Sequence, residues 1–123
     1  MTLVLLACKD LMTVSRLELA GGVDVRRFSD DDQLLAAIAD APDAVIVVDL
    51  TAAPHLPAKV RSSDLGTDVA MLAFAPHVQE ELMDAAREFA DLVVPRGSVM
   101  KGFDRQVRRA KEIRGNTAPG SSR

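Results

Sequence analysis

The sequence predicts an α/β domain: a three-layer, doubly wound (βα)5 parallel sheet with the strand order 2-1-3-4-5. Short runs of apolar residues, typical of strands buried on both faces, alternate with segments whose apolar residues recur at helical spacing. Strands that alternate with helices favour a parallel sheet with right-handed crossovers. At 123 residues the chain has the length of one domain. Five strand–helix units in that length leave room for one sheet, and 2-1-3-4-5 is a common strand order for it.

The first strand–helix unit begins close to the N-terminus. The run from Leu3 to Cys8 predicts a buried strand. A helix follows it, with the apolar positions Leu11, Val14, Leu17 and Ala20. Gly21 and Gly22 end this helix. The next strand is predicted from Val23 to Phe28, where apolar and charged residues alternate, so that one face is partly in contact with water.

The second helix has a clear start in Ser29-Asp30-Asp31-Asp32, which supplies a capping side chain and places acids at the positive end of the helix dipole. Its apolar positions are Leu34, Leu35 and Ile38. Pro42 closes it. The third strand is predicted from Ala44 to Leu50 (AVIVVDL), an apolar run that reaches the single carboxylate Asp49.

A short third helix is predicted within residues 54–64, with Pro57 near its start and Gly66 after its end. The fourth strand is predicted from Val69 to Ala75 (VAMLAFA). An amphipathic helix follows, with the apolar positions Val78, Leu82, Ala85, Ala86 and Phe89.

Leu92, Val93 and Val94 predict the fifth strand, and Ser98 in the following turn is predicted to cap the last helix. The apolar positions of that helix are Met100, Phe103, Val107, Ala110 and Ile113, and it is predicted to end near Gly115. The domain is therefore predicted to span residues 1–115. The small and polar residues 116–123 are predicted to form a disordered tail.

Composition narrows the classes of function. With 3% aromatic residues and no Trp or Tyr, the chain lacks the exposed rings of a single-stranded nucleic-acid platform. Its one cysteine, Cys8, excludes a disulfide framework within the chain, and its apolar neighbours predict a buried, inert thiol. No apolar run approaches the roughly 20 residues of a membrane span, and the N-terminus has no basic leader, so a cytoplasmic protein without membrane contact is expected.

Charge is unevenly distributed along the chain. The net charge is −3, but residues 96–123 hold eight Lys or Arg against two acids. Such a segment can contact nucleic acid or a membrane. Because most of these charges fall on the outer side of the last helix, a solvated helix face is the favoured interpretation.

A binding pocket is predicted where the sheet order reverses, because ligands of such sheets lie outside the carboxyl ends of the strands at the switch point. The polar residues that follow strands 1, 3, 4 and 5, with one from the first helix, define it: Lys9, Asp10, Arg16, Asp49, His77, Arg96 and Ser98.

Several interpretations of this group stay open at the sequence level. Asp49 can accept a phosphoryl group, or it can form a structural ion pair with Lys9 or Arg96. The cations can bind a small anion or a nucleotide, aided by backbone donors at helix N-termini, or they can only balance the acids. His77 has no Ser or Cys nucleophile in a suggestive context, so no catalytic residue is predicted.

Other cofactor sites find no support in the sequence. The two histidines lack metal-ligand spacing, so no metal site is predicted. Gly21-Gly22 stands between a helix and a strand, which is the wrong order for a dinucleotide loop. The turn CKDLMTVS is not a phosphate-cradling loop and no Trp or Tyr can stack on a flavin ring, so flavin is not expected.

The order of elements, the chain length and the acid at the end of strand 3 resemble the receiver domain of bacterial response regulators. The resemblance covers residues 1–114 and rests on topology and on Asp49. It implies a non-enzymatic signalling domain in which the strand-3 Asp accepts a phosphoryl group. In that family two acids after strand 1 hold Mg²⁺, and a Ser or Thr after strand 4 and a Lys after strand 5 contact the phosphoryl oxygens.

The sequence departs from that pattern at each of the other positions. Cys8-Lys9 stands where the family has its acid pair, with only Asp10 nearby; Phe74 stands at the Ser/Thr position and Pro95 at the Lys position. Phosphoryl transfer needs a metal to neutralise charge, and a lysine among the ligands repels one. The chain thus resembles a pseudo-receiver without a cofactor, and Mg²⁺ is expected only if the receiver chemistry is retained.

The expected function is that of a non-enzymatic bacterial signalling or regulatory module that acts through protein–protein contacts. The resemblance implies a protein partner or a homodimer at the helix 4–strand 5–helix 5 face. The charged residues there are Arg87, Glu88, Asp91, Lys101, Arg105 and Arg108. Two alternatives remain: a sensor of a small anion such as phosphate or a nucleotide, and a receiver that is phosphorylated on Asp49.

Overall fold

The computed structural model describes residues 1–117 and the side chains of residues 1–116. The described part contains a five-stranded sheet and six helices. In chain order they are β1 (Thr2–Ala7), α1 (Leu11–Glu18), β2 (Val23–Arg27), α2 (Asp31–Asp40), β3 (Val45–Asp49), α3 (Leu56–Ser62), β4 (Ala70–Ala75), α4 (Glu80–Ala86), β5 (Leu92–Pro95), α5 (Arg96–Lys101) and α6 (Phe103–Thr117).

The sheet is parallel throughout and has the order β2-β1-β3-β4-β5, which confirms the predicted fold class. Every residue of β3 and β4 is buried, as expected for central strands covered on both faces. The register pairs Asp49 with Phe74 and Ala75 with Pro95. The carboxyl ends of β3, β4 and β5 therefore meet at one edge of the sheet.

Two apolar clusters fill the space on either side of the sheet. On one face, Ile46 and Val48 of β3 belong to a cluster that includes residues of α2, α3 and α4. On the other face, Val45 and Val47 belong to a cluster that includes residues of α1, α5 and α6. This division follows from the alternation of side chains along a strand, and it produces the three predicted layers.

The predicted last helix is divided in two. Gly102 separates α5 from α6, and α6 continues to Thr117, two residues past the expected end of the domain at 115. The remainder of the predicted disordered tail, residues 118–123, lies outside the described residues. Ser98 does not cap a helix, because β5 runs directly into α5 and the extended residue Pro95 occupies the capping position without a side-chain bond.

Three apolar positions assigned to helix faces by the sequence, Val78, Leu11 and Ala85, are exposed. Val78 is 72% exposed because it lies in the turn before α4, which begins only at Glu80. Leu11 is 66% exposed because it is the first residue of α1 and lies at its open end. Helical spacing alone overestimated the buried length of both helices.

A buried ionic cluster lies at the opposite edge of the sheet, where the strands begin. The carboxylate of Asp91, just before β5, is only 3% exposed and accepts bonds from Arg61, Arg114 and the backbone N–H of Met71. Arg61 also donates to three backbone oxygens, and burial lowers the pKa of its guanidinium. Asp91 is therefore not part of an exposed charged face, contrary to the sequence interpretation.

No helix among the described residues combines the length and the apolar character needed to cross a membrane.

Candidate functional site

Asp49 ends β3 with its carboxylate buried and hydrogen-bonded. Its side chain and backbone together are 7% exposed. One carboxylate oxygen, Oδ1, accepts the backbone N–H of Thr51 at 3.1 Å and the Thr51 hydroxyl at 2.7 Å. The other, Oδ2, accepts the thiol of Cys8 at 3.4 Å. Both oxygens therefore already have hydrogen-bond donors supplied by residues of the chain.

The expected ion pair between Asp49 and Lys9 or Arg96 is not formed. Cys8 is the residue after β1 that faces Asp49, and the next residue, Lys9, is exposed. Arg96 bonds to a different acid. Because Cys8 is buried and Lys9 is exposed, the Asp49 carboxylate is hydrogen-bonded by three neutral donors and not by the lysine.

Asp10 caps α1 instead of joining Asp49. Its Oδ1 accepts the Met12 N–H at 3.2 Å, and its Oδ2 accepts the Thr13 hydroxyl at 2.6 Å and Arg96 Nη2 at 2.9 Å. Arg96 Nη2 also contacts the Thr13 hydroxyl. The Thr13 bond, with help from Met12 and Arg96, lowers the pKa of the Asp10 carboxyl. Asp10, the acid after β1, therefore forms an ion pair with Arg96.

Cys8 is a buried thiol, in agreement with the expectation from its apolar neighbours. Burial raises the pKa of the Cys8 thiol to about 11, and the negative charge of Asp49 acts in the same direction. The neutral thiol is the form that can donate to the Asp49 carboxylate, so the pair keeps Cys8 in its unreactive state.

Alkylation of Cys8 by iodoacetamide at pH 8 is expected to be about a hundredfold slower in the folded chain than in urea, because its pKa is raised from 9.0 to about 11. The rate should rise about tenfold per pH unit as long as the chain stays folded. Intact-mass kinetics would measure both rates. Equal rates for the folded and unfolded chains would show that Cys8 is accessible and would contradict this description of the site.

Residues of the predicted pocket are distributed over two separate cavities. The α2–α3 pocket has a volume of about 470 Å³ and contains Lys9, together with His55, Lys59 and the acids at the start of α2. The α1–α5 pocket has a volume of about 410 Å³ and is lined by Arg16, Pro76, His77, Arg96, Gly97 and Met100. Of the seven predicted residues, Arg16, His77 and Arg96 come together in one cavity. Three line neither of the two cavities: Asp10, Asp49 and Ser98.

Sequence reasoning missed a polar group in the α2–α3 pocket. Asp31 at the start of α2 contacts His55 Nε2 at 2.7 Å and Lys59 Nζ at 3.3 Å. The hydrogen bond with His55, followed by that with Lys59, lowers the pKa of the Asp31 carboxyl. Only the acid-rich start of α2 was visible in the sequence, and nothing there indicated partners that lie 24 and 28 residues away.

Within residues 1–116, no three His, Cys, Asp or Glu side chains are grouped so that they could hold a metal ion. At Asp49 the hydrogen-bonded neighbours are a thiol and a threonine, and the thiol is not a ligand that Mg²⁺ prefers.

Searches against family models and against curated proteins found no match. Solved structures do match. A candidate response regulator from Chloroflexus aurantiacus is 20% identical with a TM-score of 0.73, covering 92% of this chain and 97% of that one. A response regulator receiver domain protein from Clostridium thermocellum is 11% identical with a TM-score of 0.70, covering 91% and 95%. A Francisella response regulator receiver domain is 14% identical with a TM-score of 0.70, covering 91% and 98%.

The fold is receiver-like. At these identities the likeness concerns the fold, and the side chains of this chain must be considered by themselves. In this receiver-like sheet Asp49 lies beside Phe74, and Pro95 lies beside Ala75 at the end of β5. An apolar ring thus occupies the strand end next to the acid, and a residue without a side-chain donor ends β5, one strand further along the sheet.

Proposed function

We propose that this protein is a non-enzymatic, receiver-like regulatory module that acts through a protein partner and does not accept a phosphoryl group at Asp49. The observation that carries the proposal is the state of the Asp49 carboxylate. It is buried, and its two oxygens are occupied by Thr51 and Cys8. An attacking carboxylate oxygen would first have to lose these donors.

The surrounding charges also oppose phosphoryl transfer. A transferred phosphoryl group carries charge that a metal normally neutralises, and Mg²⁺ takes carboxylate and water oxygens as ligands. The nearby acid Asp10 is held by Arg96 and Thr13. A metal bound at Asp10 would have to displace Arg96 or share the carboxylate with it. The proposal therefore includes no cofactor.

The proposed partner surface combines α4, β5 and the two last helices. It presents exposed charges of both signs: Arg87, Glu88, Lys101, Arg105 and Arg108. Arg87 is already paired with Asp84, and Arg108 with Asp104, by short-range contacts on their own helices. Exposed charges in such a pattern can determine the register of a contact with a second copy or another bacterial cytoplasmic protein.

The test of the proposal is phosphorylation by a small donor. The full chain is incubated with acetyl phosphate and MgCl2, and its intact mass is measured. No phosphoryl adduct is expected on the wild type, and Asp49→Asn should be folded because an amide oxygen can still accept from Thr51. A response-regulator receiver that is labelled under the same conditions controls for the reagent. An Mg²⁺-dependent adduct that disappears in Asp49→Asn would overturn the proposal.

The proposed contact with a second copy of the chain is tested with the same protein preparations. Sedimentation compares the wild type with Arg105→Glu, a change on the exposed face of α6. If a self-contact uses this face, the charge reversal should weaken it, and Asp49→Asn should leave it unchanged. A self-contact that responds to Asp49→Asn but not to Arg105→Glu would place the regulatory contact elsewhere.

A further inference from the structure

We propose that the α1–α5 pocket is a binding site for a small dianion of the phosphate type, either free phosphate or the phosphate group of a small organic ester. The site is distinct from the Asp49 carboxylate, and it shares helix α5 with the proposed partner surface, whose charged residues do not line the cavity. Its recognition groups are Arg16, His77 and Arg96.

Three parts of the fold bring these basic side chains together. Arg16 comes from the last turn of α1, His77 from the turn between β4 and α4, and Arg96 from the start of α5. Among the described residues that line the pocket there is no acid. The α2–α3 pocket, by contrast, is lined by three aspartates beside its cations. Of the two cavities, the α1–α5 pocket therefore has the lining that suits an anion.

Two of the three basic side chains have no partner in the described part of the chain. The side chains of Arg16 and His77 are exposed and make no hydrogen bond or ion pair with residues 1–116. A structural role in balancing acids would leave these side chains paired. Unpaired guanidinium and imidazole groups that face one cavity are available to an anionic ligand.

Arg96 is held in place and still has donors to offer. Its bonds to Asp10 and Thr13 both use Nη2. The guanidinium has five N–H donors in a planar fork, so Nε and Nη1 stay available for a bidentate contact with a phosphate. Because Asp10 and Thr13 already orient the side chain, less conformational entropy is lost when a ligand binds.

The size of the cavity favours a ligand larger than a free phosphate ion. Its volume of about 410 Å³ lies within the roughly 300–1,000 Å³ of small-molecule pockets. Pro76 and Met100 supply apolar walls next to the cations, and a side chain at Gly97 would meet open space. An ester with a small apolar group would use both parts of the pocket.

Titration calorimetry of the full chain at low ionic strength tests the site, with inorganic phosphate and phenyl phosphate as probes. Both probes are expected to bind, and binding should weaken as salt is added. Arg16→Gln should weaken it by about tenfold or more, since a hydrogen bond to a charged group contributes about 1.5–3 kcal/mol. His77→Gln should weaken it as well.

Arg109→Gln is the matched control, because Arg109 is also an exposed helical arginine but lies on α6 and lines neither described cavity at this edge. It should bind both probes as the wild type does. Tighter binding of phenyl phosphate would identify an ester as the ligand class, and equal binding would identify the free anion. Failure of both probes to bind, or equal losses in Arg16→Gln and Arg109→Gln, would overturn the proposal.

Discussion

Replacement of Asp91 by alanine is expected to lower the free energy of unfolding by about 3–5 kcal/mol, the usual cost of removing one partner from a buried charge cluster. The Asp91 carboxylate is 3% exposed and is shared by Arg61 and Arg114. It also accepts the backbone N–H of Met71 at 2.9 Å. In Asp91→Ala the guanidinium of Arg61 would still be largely buried, so its desolvation would still cost free energy, but the negative charge that offsets this cost would be missing.

Urea denaturation at neutral pH measures this effect, and Asp84→Ala is the matched control. Asp84 pairs with Arg87 on the exposed surface of α4, so its loss should change stability by less than about 1 kcal/mol. If Asp91→Ala does not fold, Asp91→Asn provides a milder variant that keeps an acceptor for Met71. Similar losses for Asp91→Asn and Asp84→Ala would contradict the assignment of a stabilising role to the cluster.

Gly66→Ala is the second change with a large expected effect, a loss of about 1–3 kcal/mol or more from overpacking. A Cβ at Gly66 would lie 2.6 Å from Val60 Cγ1 and 2.9 Å from the Val60 carbonyl carbon. Val60 is fully buried in α3. Gly66 also accepts a bond from Arg61 through its carbonyl oxygen, so a backbone shift would disturb the Asp91 cluster too.

Gly97→Ala is the opposite case and serves as the control in the same denaturation experiment. Gly97 lies inside α5, and a Cβ there has nothing within 4 Å. Alanine should therefore be neutral or stabilising by up to about 1 kcal/mol, since glycine is a poor helix former. Gly66 does not have a positive φ, so the expected difference between the variants comes from close packing alone. Equal effects of the two substitutions would show that Val60 can move aside.

The strands could be predicted because each is encoded locally. Buried runs such as VAMLAFA have no polar residue to place on a solvent-exposed face, and the structure buries all of β4. Helix ends were predicted less well. Val78 and Leu11 fit a helical period but lie in a turn and at an open end, where only tertiary packing determines burial.

The edge that holds the candidate site was also predictable, since parallel strands place all their carboxyl ends together. The partners within it were not. Asp49 was expected to meet Lys9 or Arg96, but it meets Cys8 and Thr51. Arg96 instead meets Asp10, 86 residues away in sequence. The packing around a strand end determines which of its side chains is buried. Sequence spacing does not predict that packing.

The sequence by itself determined the receiver-like arrangement of strands and helices, the position of Asp49 at the end of β3, and the presence of basic residues after the strand ends of the same edge. These follow from periodicity and chain order, which are local properties. The tertiary structure alone decided that the predicted pocket is two cavities, that Asp49 is bonded to neutral donors, and that Asp91 is the buried centre of an ionic cluster. Those outcomes depend on distances between residues remote in sequence, and only the packed fold sets such distances.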